Sequence, residues 1–231
     1  MLSLVPTADI DASVQRRAPY GDELRTALKG VDSRNDQLRR ENAYLRAMLT
    51  IALGELTSAQ KREKHSQYLA LHDDLTALPN RRYFLERLAY ALGNQDSGTP
   101  DLAVIYLDLD GFKALNDMHG HAAGDTLLSL IATRLAHALR AEDLVSRLGG
   151  DEYACLITGV SCRKRLREIA LTLFEAVTAP FKIGALVLSV SPSIGVAMCP
   201  LHGTTADALM HAADAAMYAA KRNRSSFAFA N

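Results

Sequence analysis

The stretch "VSRLGGDEYACLI", residues 145–157, sets two glycines and two acids inside apolar, strand-like sequence. Glycine pairs favour the short connection between antiparallel strands, so the flanks read as a hairpin turning at Gly149 and Gly150. The acids that follow, Asp151 and Glu152, have two readings. Either the tip is simply solvated, or something cationic is held there.

Upstream, "DLAVIYLDLD" at 101–110 is an apolar run closed by acids, the pattern of a buried strand. If that strand ends beside the hairpin turn, Asp108 and Asp110 converge on Asp151 and Glu152. Like charges so close are tolerated around a cation. Hard oxygen ligands suit Mg²⁺, which takes one or two carboxylates plus substrate phosphates. A pair of such ions activates an attacking hydroxyl and steadies a pyrophosphate leaving group. "DxD" or "GGDE" alone is a weak signal; their combination changes the odds.

The remaining elements frame this pair. "HDDLTALPNRRYFLERLAYALG" gives a turn at Pro79 and Asn80, then a helix closed by Gly93. "AAGDTLLSLIATRLAHALR", "RKRLREIALTLFEAV" and "ADALMHAADAAMYAAKR" carry apolar residues at helical spacing, and "FKIGALVLSVSPSIGVAM" reads as a second hairpin. Irregular alternation with hairpins predicts an α+β fold, helices packed on a largely antiparallel sheet.

Residues 1–21, with Pro6, Pro19 and Gly21, read as a poorly ordered N-terminus. From 22 to 70 a heptad pattern runs through Leu24, Val31, Leu38, Leu45, Ala52 and Ala59, interleaved with Leu28, Asn35, Asn42, Leu49 and Leu56. This 4-3 spacing reads as a coiled-coil seam for a homodimer, weakened at Gly30 and Gly54. Asn35 and Asn42 fall where a buried Asn favours a parallel two-stranded register. The alternative is one amphipathic helix folded onto the domain at 71–231.

Composition excludes several classes. The chain has 231 residues, 48% hydrophobic and 23% charged, with 26 basic and 26 acidic side chains. Balanced charge offers no field toward nucleic acid or anionic membrane. Cys155, Cys162 and Cys199 form no metal-like pair, and an odd count fits a reducing cytoplasm. No signal peptide and no membrane span are evident. "LRRENAYLRAML" lacks the basic segment that a DNA-binding zipper needs ahead of it.

The motifs "HDDLTALPNRR", "DLDGFKALNDMHGHAAGD", "RLGGDEY", "SIGVA" and "ADAAMYAAK" occur in the order of the GGDEF diguanylate cyclases, which the chain closely resembles from Leu71 to Phe229. The resemblance implies a five-stranded, mainly antiparallel sheet wrapped by helices, akin to adenylyl cyclases and polymerase palms. It implies condensation of two GTP into cyclic di-GMP and two pyrophosphates, by a homodimer with product inhibition. The alternative it leaves is a catalytically weak module that binds GTP or cyclic di-GMP as a regulator.

By the same resemblance, Asp108, the Leu109 carbonyl, Asp151 and Glu152 hold two Mg²⁺ per half-site, or Mn²⁺ in their place. Glu152 alternatively aids 3′-hydroxyl deprotonation. Gly149 and Gly150 let the nucleotide approach the backbone. The amides near Gly111 and Phe112, with Lys113 and Lys221, face the phosphates, and Asn116 and Asp125 read guanine. Arg140 and Asp143 match an inhibitory product site, with Arg163, Arg165 and Arg167 as candidates for a second contact. Three positions depart from the family pattern: Gly111 for an aromatic, Tyr153 for Phe, and Ser225 for an arginine that Arg224 stands beside.

Overall fold

The computed structural model describes residues 18–93, 101–160 and 162–231. The chain divides into two units, residues 1–64 and 65–231. Helix α1 spans Ala18–Leu71 without a break at Gly30 or Gly54. Its 54 residues correspond to roughly 80 Å of helix. It takes in residues 18–21, which the sequence reading left to the N-terminal segment; residues 1–17 of that segment lie outside the described residues. Leu24, Leu28, Val31, Leu38, Leu45, Leu49 and Leu56 are all exposed, so the seam is an uncovered apolar stripe. Among the described residues no helix is long and apolar enough to cross a membrane.

In the second unit, α2 (Arg81–Gly93), β1 (Leu102–Asp110), α3 (Phe112–His119), α4 (His121–Ala138), β2 (Leu144–Gly149) and β3 (Glu152–Thr158) follow in order. Then come α5 (Arg163–Thr178), β4 (Phe181–Ile183), β5 (Leu186–Leu188), β6 (Ser191–Met198), α6 (Ala206–Asn223) and β7 (Phe227–Phe229). The main sheet has the order β2-β3-β1-β6-β7. Every pair in it is antiparallel except β6–β7. This is the α+β architecture that the resemblance implied.

The sheet is covered on both faces, which is why β1 reads as an unbroken apolar run. Ile105, Leu107 and Leu109 face a core with Leu127, Leu135, Leu166 and Leu173 of α4 and α5. Leu102, Val104 and Tyr106 face a second core with Phe84 and Leu88 of α2 and Leu209 and Met217 of α6. Alternation along β1 thus sends successive side chains into two dry layers.

Two close fits fix the helices. Asn80 serves both helices at the first turn: its amide Nδ2 donates to the Ala70 carbonyl at 3.0 Å, and its Oδ1 accepts from the Tyr83 amide at 3.1 Å. One side chain so satisfies an orphan carbonyl at the end of α1 and an orphan amide at the start of α2. At Gly195 on β6, an added Cβ would lie 2.0 Å from the Ala213 carbonyl oxygen. Only glycine lets α6 press this close to the sheet.

The second predicted hairpin divides differently. The turn at Gly184 joins β4 to β5, a separate two-stranded ribbon, whereas β6 pairs with β1 in the main sheet. Strand β7 went unpredicted, because "FAF" is too short to show a period.

Candidate active site

Asp108 and Glu152 are direct partners across the β1–β3 ladder, and Asp108 lies opposite Ser193 on the β6 side. The strand-end acids do meet at the hairpin tip. The tip itself is built on Gly149 (φ 142°) and Gly150 (φ 53°), backbone that an L side chain rarely adopts. Burial pushes the Asp151 carboxyl above its ordinary value, and the charge of Asp108 adds to that, against its own backbone hydrogen bond and the cations Lys221 and Arg147. The Leu109 side chain is buried in the apolar core, which leaves its backbone as its contribution here.

The Lys221 ammonium is hydrogen-bonded to Asp108 and lies 3.7 Å from Asp110. The Asp108 hydrogen bond, followed by the charges of Asp108, Asp110 and Asp151, holds the Lys221 pKa above its usual value despite some desolvation. Asp110 turns instead to Ser193, whose hydroxyl lies 3.0 Å from each carboxylate oxygen. Lys221 follows Met217 by one helical turn, so the tight seating of α6 on Gly195 sets the height at which the ammonium meets the acids.

Among the described residues no three acids, histidines or cysteines form a ready-made metal cluster. The donor set nevertheless fits a divalent cation that shares its shell with phosphates. Asp108 and Asp151 are neighbouring carboxylates, one of them pushed up by burial, and the counter-charge beside them is a half-exposed lysine.

The residues expected to face phosphate lie at the start of α3. Gly111 adopts φ 73°, ψ 13°, which accounts for a glycine where the family often has an aromatic. Phe112 is buried as an anchor, and Lys113 is exposed beside it. A cavity of about 350 Å³ adjoins, lined by Lys221, Arg224, Ser225, Ser226, Ser193 and Asp110 among others. Arg224 holds a left-handed conformation, φ 53°, ψ 38°, that closes α6.

The residues expected to read guanine, Asn116 and Asp125, lie on α3 and α4. The Asn116 Oδ1 atom is buried with no hydrogen-bond partner. It is pressed so closely on Gly124 that an added Cβ there would sit 1.8 Å from it. A buried acceptor without a donor is costly unless a ligand completes it. Asp125, the residue after Gly124, is exposed.

Arg140 and Asp143, expected from the resemblance to form a product site, lie in the turn between the end of α4 at Ala138 and the start of β2 at Leu144. Their guanidinium–carboxylate pair does not form. The Asp143 oxygens accept from the backbone amides of Arg140 (3.4 Å) and Thr158 (3.3 Å), while the Arg140 guanidinium lies 3.8 Å from Glu142. Arg163 and Arg167 lie over the rings of Phe229 and Phe227, and Arg165 pairs with Glu168, so these three cations have local partners.

Several supporting residues escaped the sequence reading. Arg147 bridges Asp73 and the Gly150 carbonyl, Ser193 holds Asp110, and Gly124 and Gly195 make room. Arg147 and Asp73 both stand inside quoted motifs, yet 74 positions separate them and neither is informative alone.

A two-faced antiparallel sheet with acids gathered at one end of its central strand, a Gly-Gly turn beside them and a lysine over them defines a nucleotidyl-cyclase type of catalytic domain. The chain belongs to the GGDEF family: the family model described as "Diguanylate cyclase, GGDEF domain" matches residues 70–226. The diguanylate cyclase TpbB of Pseudomonas aeruginosa is 37% identical over 213 residues, 92% of this chain and 44% of that protein. This chain thus spans less than half the length of that relative. A truncated TpbB comprising only the GGDEF domain superposes with a TM-score of 0.66 at 43% identity, covering 69% of this chain and 94% of that one. The coiled coil and GGDEF domain of DgcB from Caulobacter crescentus, in complex with cyclic di-GMP, superposes at 0.73 with 24% identity, covering 80% and 99%. At that identity the likeness speaks for the fold.

Proposed function

We propose that the chain is a diguanylate cyclase: it joins two GTP into cyclic di-GMP and releases two pyrophosphates. The observation that carries this reading is the meeting of Asp108 and Glu152 across one strand pair, with Asp151 pushed up by burial beside them. Asp108, the Leu109 carbonyl, Asp151 and Glu152 would hold Mg²⁺ or Mn²⁺. Bound there, the cation supplies Lewis acidity to the 3′-hydroxyl and to the departing pyrophosphate.

The chain's own groups divide the remaining work. Asn116 and Asp125 accept from the N1–H and 2-amino group of guanine, a donor pair that adenine lacks. Amides near Gly111 and Phe112, with Lys113, Lys221 and Arg224, receive the phosphate oxygens; Arg224 takes the part of the arginine that Ser225 replaces. As the new P–O bond forms and the α–β bridge breaks, Glu152, where it does not ligate the cation, takes the 3′-hydroxyl proton. Gly149 and Gly150 keep the approach clear of side chains.

Each domain holds one GTP and the product is two-fold symmetric, so two domains must meet. The exposed seam from Leu24 to Leu56 supports a parallel coiled coil as the tether. Arg140 and Asp143 would bind product and restrain the dimer. The deciding experiment incubates the protein with GTP and Mg²⁺ and separates the nucleotides by chromatography. Cyclic di-GMP and pyrophosphate are expected; GTP binding without turnover would replace this reading with a regulatory binding module.

A further inference from the structure

We infer that the hydroxyl of Tyr153 is a positioning group for base recognition, locking the helix that carries Gly124 and Asp125 to the strand that begins at Glu152. The inference rests on the reading of Asn116 and Asp125 as the guanine contacts. Tyr153 follows Glu152 on β3 and is fully buried, 0% exposed. Alternation on a strand turns it to the opposite face from Glu152, into the core beneath α4. There its hydroxyl donates to the Leu128 carbonyl at 3.0 Å.

Leu128 lies three residues after Asp125, within one helical turn. Phenylalanine would fill the same space, but ring packing is non-directional and tolerates small slides of a helix along its axis. A hydrogen bond weakens steeply as it is stretched or tilted, so it sets both height and rotation. The base cleft needs such control, because Asn116 lies against Gly124 with no room for even a methyl group. A small shift of α4 would open or close that contact.

A second contact reaches α4, shared with an acceptor of its own helix. The Ser129 hydroxyl lies 3.3 Å from the Leu75 carbonyl and 3.0 Å from the Asp125 carbonyl. Leu75 belongs to the turn that carries Asp73, which Arg147 joins to Gly150. Metal end and base end are therefore linked twice, and Tyr153 is the direct link.

The test uses the full chain with Mg²⁺ and 3′-deoxy-GTP, which keeps guanine and the triphosphate but lacks the attacking hydroxyl. The bond exists with and without nucleotide, so only the share of its strength that holds α4 in the bound geometry reaches Kd. Tyr153→Phe is expected to raise Kd by up to about 13-fold. The Kd for 3′-deoxy-ITP, without the 2-amino group, should rise less, so the preference for guanine falls. A lower melting temperature with the ratio of the two Kd values unchanged would overturn the inference. Ser129→Ala should move the ratio the same way; movement in that variant alone transfers the task to Ser129 and also overturns it. Wild-type protein that fails to bind 3′-deoxy-GTP would refute the underlying functional reading, and the inference with it.

Discussion

The Arg147 guanidinium reaches both carboxylate oxygens of Asp73, at 2.9 and 3.1 Å, and holds the Gly150 carbonyl through Nε and Nη2 at 2.9 and 2.7 Å. A planar fork with five donors suits this double task, which a lysine could not perform. The turn that presents Asp151 is thereby pinned to the turn after α1. Arg147→Met should lower unfolding free energy by about 2–3 kcal/mol, since it leaves Asp73 partly buried without its cation. Urea unfolding followed by near-ultraviolet dichroism of the buried tyrosines would read this as a lower midpoint at unchanged slope.

The same pair carries a pH dependence. Burial pushes the Asp73 carboxyl up, but hydrogen bonds from the Thr76 hydroxyl, Arg147 and the Thr76 amide outweigh it, and the pKa falls below the ordinary aspartate value. A depressed folded-state pKa contributes stability above the unfolded pKa that is lost as pH falls through the folded one. The stability advantage of wild type over Asp73→Asn should therefore be constant from pH 5 to 8 and shrink below about pH 4. An advantage that persists unchanged to pH 3 would contradict the assignment.

Sequence was informative where one element carried its own signal. The two-sided burial of β1 made a continuous apolar run, and the Gly-Gly pair marked its turn unaided. What stayed illegible depends on distant partners: Arg147 needs Asp73, Asp110 needs Ser193, and Gly195 needs α6. Ala77 shows the same limit, since its φ of 58° is imposed by the Asp73 turn, where its amide donates to the Asp73 carbonyl at 2.8 Å. The partners of Asp143 and Arg140, backbone amides for one and Glu142 for the other, were equally beyond the reach of spacing alone.

If Asp108 and Asp151 hold a divalent cation, that cation should stabilise the fold. At ten times its Kd, a ligand specific for the folded state contributes about 1.4 kcal/mol, roughly 3–5 °C in a unit of this size. Mg²⁺ with 3′-deoxy-GTP should raise the melting temperature of wild type, and EDTA should remove the rise. Asp151→Asn and Asp108→Asn should lose it and form no cyclic di-GMP. Near-wild-type turnover in either variant would remove that residue from the metal site.

The heptad seam predicts a concentration effect. Tethered domains meet at an effective concentration on the order of millimolar, whereas free domains meet by diffusion. The full chain should show flat specific activity on dilution, and residues 65–231 alone should show activity that rises steeply with enzyme concentration. High, flat activity in the shortened protein would show that α1 is not the dimeriser.

The last prediction concerns the turn at Arg140. Backbone amides fix the Asp143 carboxylate, so it does not depend on the guanidinium for its orientation. The Arg140 side chain is 54% exposed and its nearest anion, Glu142, is 3.8 Å away, a solvated contact contributing about 0–1 kcal/mol. Turning it toward a ligand phosphate therefore sacrifices little. A phosphate oxygen pair accepts a guanidinium fork bidentately, and a charge-assisted hydrogen bond contributes about 1.5–3 kcal/mol. Arg140→Ala should weaken inhibition by added cyclic di-GMP by roughly 10- to 150-fold. Glu142→Gln removes the competing anion and should tighten inhibition slightly, by about 5-fold at most. Progress curves with added product on the three proteins distinguish a ligand-binding pair from an ordinary surface turn, for which all three curves would coincide.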